Sequence, residues 1–227
     1  MLRFHFHFTP NPMKVALLLE ELGVGYEMVP LDTYKGDHHA DAFKAINPNG
    51  KAPAIEDDGK RVFDSNAILL YLAEKHGRFL GRPEDRGEFL SWLMWIASGL
   101  GPFSGQWVHF QTAGAAEGGD YAKRRYRYEA HRHYRVLDDH LAGREWIVGP
   151  DYTIVDMSGW GWVDRNVRVL GEGGIDDYPN VKRWFESVDA RPAVARAREL
   201  AKAPVFKREH DQQTVRALFP ANFAATP

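Results

Sequence analysis

The stretch Phe8-Thr9-Pro10-Asn11-Pro12-Met13-Lys14-Val15-Ala16-Leu17-Leu18-Leu19-Glu20-Glu21 decides how this chain of 227 residues reads. A short alternating run precedes it, Leu2 to Phe8, with Phe4, Phe6 and Phe8 on one face, the pattern of a half-buried strand. From Pro12 to about Leu22 the period changes: Val15, Leu18, Leu19 and Leu22 fall on one helical face, and Gly23 supplies the stop. Asn11 suits the N-cap, and Pro12 suits the first helical position, where a missing N–H is harmless. Strand and helix together hold polar side chains, Thr9 and Asn11, at the positive end of a helix. Such a place favours an anion and lowers the pKa of a thiol. The chain contains no cysteine, so a thiolate working there belongs to a bound ligand.

Working outward, Tyr26 to Leu31 reads as a second strand reached through that helix, a βαβ unit with parallel strands. His38 to Ala45 reads as a short helix. Ala54 to Glu56 and Arg61 to Phe63 form a hairpin around Asp57-Asp58-Gly59, and Ser65 caps a helix through Lys75. Residues 1–77 are therefore expected to form an α/β domain of order βαβαββα, and the glycines and prolines of 78–87 a linker. The segment 88–203 is expected to be all-helical. Its helices run from near Arg86 to about Phe110, Tyr121 to Leu141, Thr153 to Leu170, Val181 to Ala190 and Ala193 to Ala201, with a break at Gly114 to Gly119. Residues 204–227 read mostly as a tail.

Bulk composition narrows the class. A hydrophobic content of 44% and a charged content of 26% describe an ordinary soluble globular protein. A net charge of −2 gives no general attraction to nucleic acid or anionic membrane. The longest apolar run, Ala67 to Ala73, is too short to span a bilayer, and Met1-Leu2-Arg3-Phe4-His5 lacks the features of a secretory signal. The absence of cysteine fits a reducing cytoplasm.

Several motifs carry a plain reading beside a chemical one. Thr9 and Asn11 are either turn and cap or two hydrogen-bond donors to a thiolate. Asp64-Ser65, at a strand-to-helix turn, is either an N-cap or an anion clamp, and Phe63-Asp64-Ser65-Asn66-Ala67 lacks the glycines of a hydrolase elbow. His5-Phe6-His7 and His131-Arg132-His133 look like metal pairs but have no further ligand at a recognisable spacing, so no metal is expected. Tyr121 to Arg135, rich in arginine and aromatics, reads as a solvated helix face with some buried tyrosines before it reads as a nucleic-acid surface. Trp92, Trp95, Trp107, Trp160 and Trp162 read as core and pocket wall. Thr153 with Asp156 is a capping box.

Four blocks in order carry a resemblance: Thr9-Pro10-Asn11 with Lys14 to Glu21, Ile46 to Ile55, Val62 to Leu72, and Tyr152 to Asp156. Together they resemble the glutathione transferase superfamily, and within it the bacterial nu-class glutathione-dependent disulfide-bond oxidoreductases. The resemblance implies a thioredoxin-like N-terminal domain, an all-α C-terminal domain and a homodimer, with glutathione as cosubstrate. It implies a cis bond at Ala52-Pro53, which turns the backbone of Ala52 toward an extended ligand. It makes Thr9 and Asn11 the thiolate's partners and places Lys51, Ala52, Pro53, Asp64 and Ser65 around glutathione. It aligns His38 with a glutathione-binding glutamine and Arg132 with an arginine that reaches the site from the helical domain. Two positions depart from the pattern: Pro12 stands where glycine is usual, and Asp64 where most members have glutamate. The activity implied is thiol–disulfide exchange on a small disulfide, with organic hydroperoxide reduction beside it. Conjugation of glutathione to apolar electrophiles and a non-catalytic binding module are the alternatives.

Overall fold

A computed structural model describes residues 1–116 and 118–223. Met1–Ile68 and the chain from Ala195 onward form one compact unit, and Leu69–Val194 forms a second.

The first unit is built on a four-stranded mixed sheet of order β2-β1-β3-β4. Strand β1 (Leu2–Phe6) lies parallel to β2 (Tyr26–Pro30), with Leu2 opposite Tyr26 and Phe6 opposite Pro30. The crossover is helix α1 (Pro10–Leu22). On its other edge β1 runs antiparallel to β3 (Ala54–Asp57), which pairs in turn with β4 (Lys60–Phe63). The turn Asp58-Gly59 closes that hairpin with both residues at positive φ, as a tight two-residue connection demands. Phe4 and Phe6 are fully buried, together with Val15, Leu18 and Leu19 of α1. On the face where helix α2 (Asp41–Lys44) lies, Leu31, Phe43 and Ala54 form a small apolar cluster. Strand β1 ends at Phe6 instead of Phe8, since β2 runs out at Pro30 and leaves no ladder partner beyond it.

Helix α3 (Ser65–His76) follows the hairpin. The second unit then continues with α4 (Arg86–Trp95), α5 (Gly101–Gln111), α6 (Gly119–His140), α7 (Ile154–Val163), α8 (Asn166–Leu170) and α9 (Pro179–Asp189). The single helix expected from Arg86 to Phe110 is interrupted by a wide turn at Ile96–Leu100. Close packing of glycines marks the spot. A Cβ on Gly99 would lie 2.5 Å from Nε2 of His133, and one on Gly101 would lie 2.7 Å from Nε1 of Trp162. The helix expected from Thr153 to Leu170 likewise divides. The Asn166 side-chain amide donates to the Val163 carbonyl at 2.8 Å and takes the place of a backbone donor there.

The last two helices are α10 (Pro192–Ala201) and α11 (Gln212–Leu218). The stretch after Pro204, expected as mostly tail, is folded through Phe223. Asp211 caps α11 by accepting from the Thr214 N–H at 2.8 Å, and Phe206 is buried against Phe6, His7 and Phe8.

Candidate active site

At the β1–α1 junction the helix opens two residues earlier than the sequence suggests. Pro10 is its first residue, Thr9 is the N-cap in extended conformation, and Asn11 lies inside the first turn. Both prolines fit, because the N–H groups of a first turn have no intrahelical partner in any case. The Thr9 carbonyl accepts from Met13 N at 3.2 Å, while the Thr9 side chain makes no capping hydrogen bond. A half-buried hydroxyl therefore stands at the positive end of α1 without being spent on the helix.

The turn between β4 and α3 corrects a second expectation. Asp64, not Ser65, caps the helix: its Oδ1 accepts from Asn66 N at 2.9 Å and Ala67 N at 3.1 Å. Asp64 holds a φ of 69°, a left-handed conformation that aspartate tolerates better than most residues. Ser65, released from capping, meets Lys14, whose Nζ donates to Ser65 Oγ at 3.4 Å. Lys14 is buried with only 2% of its surface exposed. Burial pushes its ammonium down to about 7, against the pull of the Asp64 carboxylate.

The Ala52–Pro53 bond is cis. The loop before it is tied down by Asn47, whose amide donates to the Lys51 carbonyl at 2.6 Å and whose Oδ1 accepts from Asn49 N at 3.0 Å. The Lys51 side chain is exposed and Ala52 half-buried. His38 is buried, with 1% of its surface exposed. Its Nδ1 is buried and has no hydrogen-bond partner. Burial, assisted by His39 and the nearby lysines, pushes its imidazole down to about 4, so it is a neutral ring at neutral pH.

Behind Phe8 lies a second buried imidazole. His7 is fully buried; its Nδ1 shares a hydrogen bond with Thr33 Oγ1 at 3.2 Å, and Nε2 lies 3.7 Å from Asp32 Oδ1. Asp32 attracts the protonated form, but burial outweighs it and pushes His7 down to about 4. That contact is therefore not an ion pair at neutral pH. Asp32 has other donors: Tyr34 N at 3.0 Å and, from the C-terminal segment, Lys207 N at 2.7 Å. Arg208 covers the Phe8 ring at 4.7 Å.

These two histidines give a pH prediction. Each prefers the neutral form in the fold more than in the unfolded chain. Their stabilisation is complete above pH 6.5 and is lost as pH falls from 6.5 toward 4. Each contributes at most roughly 3 kcal/mol to that loss. Asp156, which burial pushes up to about 6, works the other way below pH 6 and offsets part of it. Urea unfolding at pH 7 and pH 5 should show the loss, and His38→Gln should remove one histidine's share. An unchanged pH dependence in that variant would remove His38 from the account.

In the second unit, Arg132 on α6 is half-buried, and its Nε donates to Glu129 Oε2 at 2.9 Å. Glu129, itself buried, also pairs with Arg125 at 2.9 Å. Of the paired histidines, His131 meets the Tyr178 hydroxyl at 3.1 Å and His133 donates to the Glu129 carbonyl at 2.7 Å. Tyr121 and Tyr128 are exposed, whereas Tyr134 is fully buried. The capping box at α7 forms as the sequence suggests. Among the described residues, no group of three or more His, Asp or Glu could hold a metal ion, and no helix is long and apolar enough to cross a membrane.

Residues 2–74 match the family described as Glutathione S-transferase, N-terminal domain, and residues 120–187 match Glutathione S-transferase, C-terminal domain. The disulfide-bond oxidoreductase YfcG of Escherichia coli (strain K12) is 40% identical over 205 residues, which span 87% of this chain and 94% of that protein. The chain belongs to the glutathione S-transferase family. Solved structures agree with the assignment. A glutathione transferase family member from Pseudomonas fluorescens pf-5 with two glutathione bound superposes with a TM-score of 0.82 at 39% identity, covering 86% of this chain and 91% of that one. A glutathione transferase from Pseudomonas putida, with one glutathione disulfide per subunit, gives a TM-score of 0.80 at 36% identity, over 89% and 91% of the two chains. In this chain, residues outside the sequence-derived set border the junction: Lys14 behind Ser65, and Asp32, Phe206 and Arg208 around His7 and Phe8. Lys14 left a signal. It lies four residues before Leu18, so a charged side chain occupies the apolar face of α1. The C-terminal segment left only a few apolar residues in a polar stretch.

Proposed function

We propose that this member of the glutathione S-transferase family is a glutathione-dependent thiol–disulfide oxidoreductase. The observation that carries the reading is the β1–α1 junction of a cysteine-free chain: the Thr9 hydroxyl, unspent on capping, and the Asn11 amide stand at a helix N-terminus. The likeness to a protein named as a disulfide-bond oxidoreductase, and to neighbours holding glutathione or its disulfide, supports it. In this reading Thr9 and Asn11 donate to the glutathione sulfur and favour the thiolate. The Ala52 backbone pairs with the cysteinyl residue. Asp64 and Ser65 hold the γ-glutamyl end, and His38 and Lys51 supply further contacts, His38 as a neutral ring. Pro53 fixes the loop that presents Ala52.

The bound thiolate attacks one sulfur of the substrate disulfide. A mixed disulfide with glutathione forms and the other sulfur leaves as a thiolate, which takes up a proton. A second glutathione thiolate then attacks the mixed disulfide. It releases the second substrate thiol and leaves glutathione disulfide, so two glutathiones are oxidised for each disulfide reduced.

Thr9→Ala and Asn11→Ala should each lower kcat by about 10- to 100-fold while changing glutathione affinity less. Ser65→Ala should instead raise the glutathione dissociation constant by about tenfold, the effect of one hydrogen bond to a charged group. Unchanged kcat in both junction variants would sink the assigned roles. Parallel assays with a small disulfide and an aromatic halide test the reaction type. Turnover of the halide alone would replace this reading with conjugation.

A further inference from the structure

We propose that Lys14 is the counter-ion of the γ-glutamyl carboxylate of glutathione: an ammonium held inside the fold behind Ser65, which the ligand itself charges, so that the pocket takes up a proton as glutathione enters. The proposal rests on the reading of Asp64-Ser65 as the γ-glutamyl end of the site.

The geometry is specific. Lys14 lies at the start of the second turn of α1, buried among the apolar side chains that anchor the helix. Lysines are almost never fully buried unless paired. Among the described residues, the partner found for this ammonium is Ser65 Oγ at 3.4 Å, a neutral hydroxyl at the edge of the hydrogen-bond range. The charged group that faces it is Asp64, on the turn before α3. Asp64 is engaged: its Oδ1 accepts two backbone N–H groups of α3. A three-donor cation is thus held at the base of a serine that opens a helix, with too little negative charge to keep it fully ionised at neutral pH. Burial accordingly pushes it down to about 7.

A carboxylate seated on Ser65 and on the N-terminus of α3 changes that balance. It adds a full negative charge next to the buried nitrogen, where screening by water is weak. The ammonium form then wins, and the proton comes from solvent. The same carboxylate gains a cation in a desolvated place, beyond what the N–H groups of the α3 N-terminus alone provide. Lys14 acts through Ser65 and is a positioning residue, not a group that touches the reacting sulfur. A lysine buried only to pack would show no dependence of its protonation on the ligand.

The test is titration calorimetry with S-methylglutathione, which keeps the γ-glutamyl group and has no ionising thiol. Measurements at pH 8 in buffers of different ionisation enthalpy count the protons exchanged. The wild-type protein should take up about 0.8 proton per ligand. Lys14→Met should lose that uptake and bind about tenfold more weakly at pH 7. Binding without proton uptake in the wild type would overturn the Lys14 proposal and leave the glutathione site standing. No binding of S-methylglutathione at all would overturn both. Should Lys14→Met fail to fold, lysine-labelled wild-type protein followed by carbon-13 NMR gives the same answer. One lysine should titrate near pH 7 when free and well above it when S-methylglutathione is bound. A lysine signal that titrates identically in the two states would refute the idea.

Discussion

Asp156→Ala should lower the unfolding free energy by about 3–5 kcal/mol, because it leaves several buried donors without their acceptor. At roughly 2–4 °C per kcal/mol for a chain of this size, the melting temperature should fall by about 10 °C. Asp156 is fully buried. Its Oδ1 accepts from Ile147 N and from Trp184 Nε1, both at 2.9 Å, and its Oδ2 accepts from Thr153 N at 2.9 Å and Thr153 Oγ1 at 3.3 Å. One carboxylate thus starts α7, fixes the loop at Ile147 and anchors the indole of Trp184 on α9. Alanine leaves these donors in a dry interior, where each unsatisfied N–H is worth about 1–3 kcal/mol. Asp156→Asn keeps the volume but turns an amide NH2 toward two of the donors, so it should recover less than half of the loss. The prediction does not depend on charge alone. Burial pushes Asp156 up to about 6, so the fold holds the protonated carboxyl more readily than the unfolded chain does. That contribution is present below pH 3.8 and is lost as pH rises through 6. A calorimetric shift below about 2 °C for Asp156→Ala would show that the donors find water instead.

The capping box behind that prediction was legible because two residue types at a fixed spacing satisfy each other's backbone, whatever the rest of the chain does. The sheet was legible for a similar reason. A period of two in Leu2 to Phe6 gives way to a helical period and then to Asp57-Asp58-Gly59, and each change is local. What escaped depends on choices that local chemistry leaves equal. Pro10 and Pro12 both fit a first helical turn, so propensity could not say where α1 begins. Asp64 and Ser65 are both good N-caps. The tight exit from β4 decides between them by placing Asp64 at positive φ. Lys14 left its trace on the apolar face of α1, but the rule that lysines face water outweighs that trace until a packed neighbour such as Ser65 is known. Phe206 and Asp211 fold the C-terminal stretch through contacts with residues almost two hundred positions away and through a cap, neither of which a periodicity can register.

The absence of cysteine has the largest consequence for the proposed chemistry. Thioredoxin-like reductases that carry their own thiols can store the exchange as a mixed disulfide on the protein. This chain has no sulfur able to do so, since its five methionines are thioethers. Every electron pair delivered to a disulfide must come from bound thiol, and the oxidised product must leave as a small molecule. Disulfide reductase activity should therefore vanish completely without glutathione and return when it is added. Iodoacetamide, removed before assay, should leave kcat unchanged. Intact-protein mass spectrometry during turnover should show the unmodified chain mass throughout, because the mixed disulfide forms between glutathione and substrate. The strength of the test lies in the protein's contribution being noncovalent: a helix N-terminus with Thr9 and Asn11 favours the thiolate of a ligand that is free to leave. A persistent adduct of glutathione mass on the chain would show that some side chain other than a thiol acts as nucleophile. Turnover with a simple thiol that does not bind the site, at the rate seen with glutathione, would show that the junction does not select its thiolate. Either result would overturn the mechanism, even though the chain would remain a glutathione S-transferase in fold.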